Sequence, residues 1–491
     1  MSAPVLETSI FDKSRPGAEG VSLPVSGVQS DWSLPDSLVR SQAPRLPEIA
    51  QLDAVRHFVR LSQLNHAIDK DFYPLGSCTM KYNPKICDVY GVLDGLTQLH
   101  PRTPASYAQG ALAVMVTLQQ YLADITGFDA VTLQPAAGAH GELVGMMMVR
   151  AYFESLGDTG RTEVLVPDSA HGTNPATAVM CGFDVVEIPS GADGLIDLEA
   201  LRSAVGPKTA ALMLTNPSTL GLFETDILAV TELVHQAGGL MYYDGANLNA
   251  VMGQAQPARM GFDVMHINTH KTFATPHGGG GPGSGPVAVT TKLAPFLPKP
   301  MAAYDEATET YYWDWDRPQS IGKVKAFWGN FEMMVRALTY ILAYGAEGLT
   351  QVSRDAVMNA NYLRAQLRGD YHVAFDRLCK HEFILTNQKQ DAPDRHINSM
   401  AIVKRLMDYG FHPPTVYFPL MVREAMMIEP TETESKATLD RFVDAMRTIA
   451  RECRETPEVV INAPHTTPIR KVDEVLAARK PDLNYYAGSP A

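Results

Sequence analysis

The chain has 491 residues, of which 45% are apolar and 19% charged, and it carries a formal net charge of −13. Its length exceeds what one compact core accommodates, so two or more domains are expected, and its acidic balance excludes a broad nucleic-acid surface, which needs clustered Lys and Arg. No run of about 18 uncharged apolar residues offers a membrane span, the start Met1-Ser2-Ala3-Pro4-Val5-Leu6 lacks a basic region followed by an apolar run, and the scattered cysteines Cys78, Cys87, Cys181, Cys379 and Cys453 show no metal spacing and fit reduced thiols in a cytoplasmic protein.

Residues 1–45 are rich in Pro, Ser and Gly without a period and read as an extended arm, ordered against a partner subunit. A helix follows, with Leu52, Val55, Phe58 and Val59 on one face. The stretch from Tyr73 to Pro84 is a loop by its Pro and Gly content. The spacing of Leu112, Met115, Leu118, Leu122 and Ile125 predicts a helix over 108–126, stopped by Gly127. A second helix is expected from near His140 to about Ser155. Short apolar, β-rich runs then recur at Glu163–Val166, Asp184–Ile188, Ala211–Thr215, Leu240–Tyr243, Val264–Asn268 and Pro286–Thr290. Helical stretches separate several of them, the signature of an α/β domain with a mostly parallel sheet. A long helix from Phe331 to about Ala346 leads into mixed helices and strands. The expected division is an N-terminal arm and helical segment over 1–95, a large α/β domain over 96–345, and a smaller α+β domain over 346–491.

Four places along the large domain carry chemistry. Asn268-Thr269-His270-Lys271-Thr272-Phe273 puts a lysine at the end of a buried strand, followed by the run Gly278-Gly279-Gly280-Gly281. Burial disfavours an ammonium group, and a neutral amine condenses with an aldehyde; the alternative is a surface lysine before a flexible loop. No Gly-Lys-Ser/Thr follows the glycines, so a nucleotide P-loop is a poor reading. Asp244, in Tyr242-Tyr243-Asp244-Gly245-Ala246-Asn247, closes another strand either as a helix cap or as a functional carboxylate. Gly138, Ala139 and His140 open a helix whose N–H groups suit an anion, although small residues open ordinary helices too. His171 and Asn216 each follow a strand; one can stack on a ring and the other can donate an amide, or both can be plain turn residues. Their joint order is more telling than any one of them, because open α/β sheets bind ligands outside the carboxyl ends of their strands.

That order, an anion-binding turn, a histidine, an asparagine, an aspartate and a lysine, resembles the fold-type I pyridoxal-phosphate enzymes. The segments Tyr73 to Pro84, Ala170 to Pro175, Tyr243 to Ala250, Asn268 to Phe273 and Met427 to Thr433 resemble the glycine decarboxylase P-proteins more narrowly, over residues 40–485. Single-chain P-proteins have two homologous halves, and this chain is similar to the C-terminal, lysine-bearing half. The resemblance implies a fold-type I transferase fold: a large domain with a mostly parallel mixed sheet and a smaller C-terminal α+β domain. It implies pyridoxal phosphate carried on Lys271, decarboxylation of glycine with release of carbon dioxide, and transfer of the aminomethyl group to the lipoyl arm of H-protein. It also implies a first P-protein subunit in an α2β2 heterotetramer.

By the same resemblance Asp244 would pair with the pyridine nitrogen and His171 would stack on the ring, with His140 second choice. Gly138, Ala139, Thr269 and His270 are candidates for the phosphate, and Asn216 and Asn247 for the phenolic oxygen. The loop Pro74–Lys81 would border the site, with Cys78 either reactive or inert. Arg423 is the small-domain arginine on offer for a carboxylate. Rival readings are another fold-type I reaction, a cysteine desulfurase (with Cys379 the comparable cysteine) or an amino-acid decarboxylase without a lipoyl acceptor, and a non-catalytic scaffold half.

Overall fold

A computed structural model of the chain describes residues 6–25, 27, 33–277 and 282–485. The glycines Gly278–Gly281, expected beside Lys271, lie outside the described residues. Seven strands form the larger sheet: β1 (Ala130–Thr132), β2 (Glu163–Pro167), β3 (Asp184–Ile188), β4 (Thr209–Thr215), β5 (Leu240–Gly245), β6 (Val264–Ile267) and β7 (Val287–Val289). Their order is β1-β7-β6-β5-β4-β2-β3. The run from β3 to β6 is parallel, and β7 lies antiparallel between β6 and β1. Helices cover both faces, which is why all of β4, β5 and β6 is buried and reads as continuous apolar sequence rather than as alternation. β1 escaped the sequence reading because three residues carry too little pattern.

The helix Gln109–Thr126 buries Leu112, Met115, Leu118 and Leu122 and ends at Gly127 in the left-handed region (φ 80). The helix Gly138–Ser155 crosses beneath the sheet. A hairpin, β8 (Met301–Asp305) and β9 (Thr310–Asp314), follows the sheet. The helix expected to stop near Ala346 instead runs from Phe331 to Leu367, with a break at Gly345 (φ 63). It resumes because Leu349, Val352, Ala356, Ala360, Leu363 and Leu367 continue a buried stripe at helical spacing. A smaller antiparallel sheet completes the chain, made of β10 (His372–Val373), β11 (Phe383–Thr386), β12 (Thr415–Val416) and β13 (Met426–Ile428), in the order β10-β11-β13-β12. Its core, with the helix Lys436–Glu455, includes Phe72 from far upstream. Leu75 pairs with Ile428, so the Tyr73–Pro84 loop is joined to this smaller sheet.

The helix Gln51–Leu64 forms as expected, but its apolar face points away from the chain's own core: Leu52, Val55, Phe58 and Val59 are 49–60% exposed. No helix among the described residues is long and apolar enough to cross a membrane.

Candidate active site

A cavity of about 400 Å³ opens at the carboxyl ends of β4, β5 and β6. Lys271 reaches it from a one-turn helix, Thr269–Thr272, that directly follows β6; the lysine is half-buried and its backbone N–H is held by the Asn268 carbonyl at 3.0 Å. Asp244, buried near the end of β5, reaches the same cavity. The parallel register places Asp244 opposite His266 on β6. One Asp244 oxygen accepts from the Ala246 N–H at 2.9 Å and lies 3.2 Å from His266 Nε2. The other His266 nitrogen meets the Tyr242 hydroxyl at 2.8 Å. A buried chain of Asp244, His266 and Tyr242 therefore fixes the carboxylate from behind. Burial pushes the His266 imidazole down, and the Asp244 charge pulls it the other way.

Gly138, Ala139 and Glu142 enter from the first turns of the helix Gly138–Ser155. Any Cβ at Gly138 would overlap the Asn268 side-chain oxygen, so only glycine lets this helix end come so close to β6. Burial, reinforced by the Asp244 charge, pushes the Glu142 carboxyl up to about 8, against a hydrogen bond with Thr177. His171 stands exposed at the mouth, where Nδ1 takes the Thr173 N–H at 3.2 Å and the ring meets Phe418 edge-on at 5.8 Å. His270 also lines the cavity, and burial with the nearby His277 and Lys271 pushes it down to about 3, so the ring is neutral. Ser77 and Cys78 close the side facing the smaller sheet. Burial raises the Cys78 thiol, and the Lys271 charge opposes it.

Gly138, Ala139, His171, Asp244, Asn247, His270 and Lys271 are thus brought together, while three other candidates stand behind the lining. Asn216 is fully buried: its oxygen accepts from the Glu224 N–H at 2.9 Å, and its carbonyl accepts from the Tyr243 hydroxyl. Asn247 donates to the Pro217 carbonyl at 2.8 Å and occupies the nearer layer. The Thr269 hydroxyl is spent on the Ser284 carbonyl at 2.8 Å. His140 turns aside to accept from the Ala136 N–H at 3.2 Å. Arg423 borders a separate polar cavity with Asn387 and Glu424, and no arginine is among the described residues lining the Lys271 cavity. Cys379 is buried away from the cavity, its thiol pushed up to about 12, which leaves the desulfurase reading without its nucleophile. The sequence reading missed His266 and Glu142. A histidine inside an otherwise apolar strand was the available signal for the first.

A relative from Desulforamulus reducens, "Probable glycine dehydrogenase (decarboxylating) subunit 2", is 57% identical over 98% of this chain and 99% of its own length. The chain belongs to the glycine dehydrogenase (decarboxylating) subunit 2 family. A relative of the same description from Exiguobacterium sibiricum is 56% identical over 98% of this chain and 97% of its own length. Residues 352–470 match the family model "Glycine dehydrogenase, C-terminal domain", and residues 146–282 match "Aminotransferase class-V". Among solved structures, a glycine decarboxylase (P-protein) of the glycine cleavage system in inhibitor-bound form aligns with a TM-score of 0.71 at 21% identity, covering 85% of this chain and 93% of that one. The cysteine desulfurase CsdA from Escherichia coli aligns at a TM-score of 0.58 and 16% identity, over 79% of this chain and 97% of that one. These likenesses establish the fold-type I architecture, a large mixed sheet with a smaller antiparallel domain.

Proposed function

We propose that the chain is the pyridoxal-phosphate-carrying subunit that decarboxylates glycine and passes the aminomethyl group to the lipoyl arm of H-protein, releasing carbon dioxide. The observation that carries this reading is the meeting of Lys271 and Asp244 in one cavity beside the helix N-terminus at Gly138 and Ala139. The residues present fit the cofactor: an amine for the aldehyde, an acid, an anion cradle at a helix end, and buried polar atoms on Thr215, Asn247 and Asn268 without hydrogen-bond partners among the described residues. When bound, pyridoxal phosphate supplies an electron sink for the bond broken at the substrate α-carbon.

The chain's own residues do the rest. With the cofactor bound, Asp244 would hold the proton of the pyridine nitrogen, and His266 with Tyr242 keeps that carboxylate aimed. The N–H groups at Gly138 and Ala139 and the neutral His270 ring would hold the phosphate, and His171 would cover the ring from the mouth. Lys271 would anchor the cofactor through its amine. A lining without arginine among the described residues suits a decarboxylase, since a tight grip on the departing carboxylate would stabilise the ground state. We also read the outward apolar stripe Leu52, Val55, Phe58 and Val59 as contact surface for a first subunit, the partner that the relatives' description as subunit 2 calls for.

The test is an absorbance band in the near-ultraviolet to visible range, present in the purified chain, removed by borohydride and absent in Lys271→Ala. It is combined with exchange of labelled carbon dioxide into glycine that depends on lipoylated H-protein. A colourless protein that regains no cofactor on incubation points instead to the scaffold reading. Exchange independent of H-protein points to a different decarboxylase.

A further inference from the structure

Ser77 and Thr79 both have positive φ, 62 and 51, a region that residues with a Cβ enter rarely and keep only when their surroundings impose it. Here two buried glutamates do so. Glu382, just before β11, accepts the Ser77 N–H at 2.7 Å. Glu429, just after β13, accepts the Thr79 N–H at 2.9 Å and its hydroxyl at 2.6 Å. Glu382, Glu429 and His381 present atoms within 4.8 Å of one another. One oxygen of Glu382 and both of Glu429 are engaged by the loop, while the other Glu382 oxygen and both His381 ring nitrogens have no hydrogen-bond partner among the described residues.

Further bonds fix the approach to this turn. Gly76 N–H reaches the Met427 carbonyl at 3.3 Å, the Gly76 carbonyl accepts from Thr415 at 2.8 Å, and Glu429 N–H reaches the Pro74 carbonyl at 3.3 Å. A Cβ at Gly76 would run into Met427, so no slack separates the loop from β13. Mechanically the loop is part of the smaller sheet, yet Ser77 and Cys78 line the Lys271 cavity. A substrate amine that takes the place of Lys271 on the cofactor would have to fit its α-carbon within the cavity this wall bounds, and the wall retreats only by breaking several hydrogen bonds at once.

We propose that the loop Ser77–Cys78–Thr79, clamped by Glu382 and Glu429, is the steric limit that restricts the substrate to an amino acid without a side chain. This rests on the Lys271 cavity being the reaction site. Discrimination here works by exclusion rather than by an added attraction for glycine.

The test uses the full chain loaded with pyridoxal phosphate, in the assembly in which it purifies, titrated with glycine or L-alanine while the cofactor absorbance is followed. The readout is binding and needs no turnover. Wild type is expected to respond to glycine and to bind L-alanine about 100-fold more weakly or worse. Ser77→Gly combined with Cys78→Ala opens the wall, and glycine suits the backbone at 77. It is expected to narrow the gap about tenfold or more. Glu382→Gln keeps both side chains but loosens the clamp, and should narrow the gap by a smaller factor.

The proposal is overturned if the double variant binds glycine yet rejects alanine as wild type does, or if wild type takes both equally. It is also overturned if both variants lose the glycine response, because the loop then builds the cradle rather than limiting it. A wild-type chain with no cofactor band at all fails at the Lys271 assignment instead.

Discussion

At the scale of single residues, the site sets two carboxyl groups close together in different surroundings. Asp244 is paired with His266, whereas Glu142 is held neutral by burial and by Asp244 itself. Asp244→Asn is expected to lower the glycine turnover rate by about a hundredfold or more while changing the glycine KM far less, measured by steady-state carbon dioxide release. For Glu142 the consequence is a stability that depends on pH. Its carboxyl moves from 4.5 to about 8 on folding, so between those values the folded chain binds a proton that the unfolded chain has lost. Stability contributed at this position therefore falls as pH rises through that window. Glu142→Gln removes the titration, and calorimetry of the cofactor-free chain should find its Tm less dependent on pH between about 5 and 8, with about 1 °C for each kcal/mol regained in a chain of this length. The strand-end positions that bring Lys271 and Asp244 to one cavity were legible in the sequence because each follows an apolar run and changes chemistry abruptly. Glu142 and His266 were not, because their roles arise from a helix face and a strand register that become defined only after the sheet has formed.

At the scale of elements, the first turn of the helix Gly138–Ser155 does its work through closeness. Gly138→Ala is expected to weaken cofactor binding about tenfold or more, because the added carbon must push Asn268 and β6 away from the helix end; an absorbance titration of the cofactor-free chain measures it. Strand positions were readable because buried parallel strands are short apolar runs between helices, and the run Val264–Asn268 overlies the buried β6 with one residue to spare. What could not be read was continuation across a break. Gly345 looks like a helix stop in sequence, and only the buried stripe from Leu349 to Leu367 shows that the helix resumes beyond it. Thr269 illustrates a similar limit: it stands just past a strand end, but its hydroxyl already donates to the Ser284 carbonyl, whereas the buried Asn216 has its side-chain oxygen taken by the Glu224 N–H and its amide nitrogen without a hydrogen-bond partner among the described residues.

At the scale of the whole molecule, the outward apolar face of the helix Gln51–Leu64 is the surface proposed above for assembly. Phe58→Asp is expected to leave the cofactor band intact and to reduce association with a first subunit, read by light scattering of the mixed, size-fractionated proteins. The periodicity of that helix was plain in the sequence, but the side toward which it turns was not, since an apolar stripe looks the same whether it faces its own core or another chain's. The bond from Thr79 to Glu429 spans 350 positions. Contacts so distant in sequence form late, because a long loop must close before they are rewarded. During synthesis, the sheet bearing Asp244 and Lys271 can assemble while one wall of the pocket still waits for strands that have not left the ribosome. A nascent chain halted before Met426 would already carry the lysine and Glu382, yet its Ser77–Thr79 turn would lack the Glu429 half of what holds it.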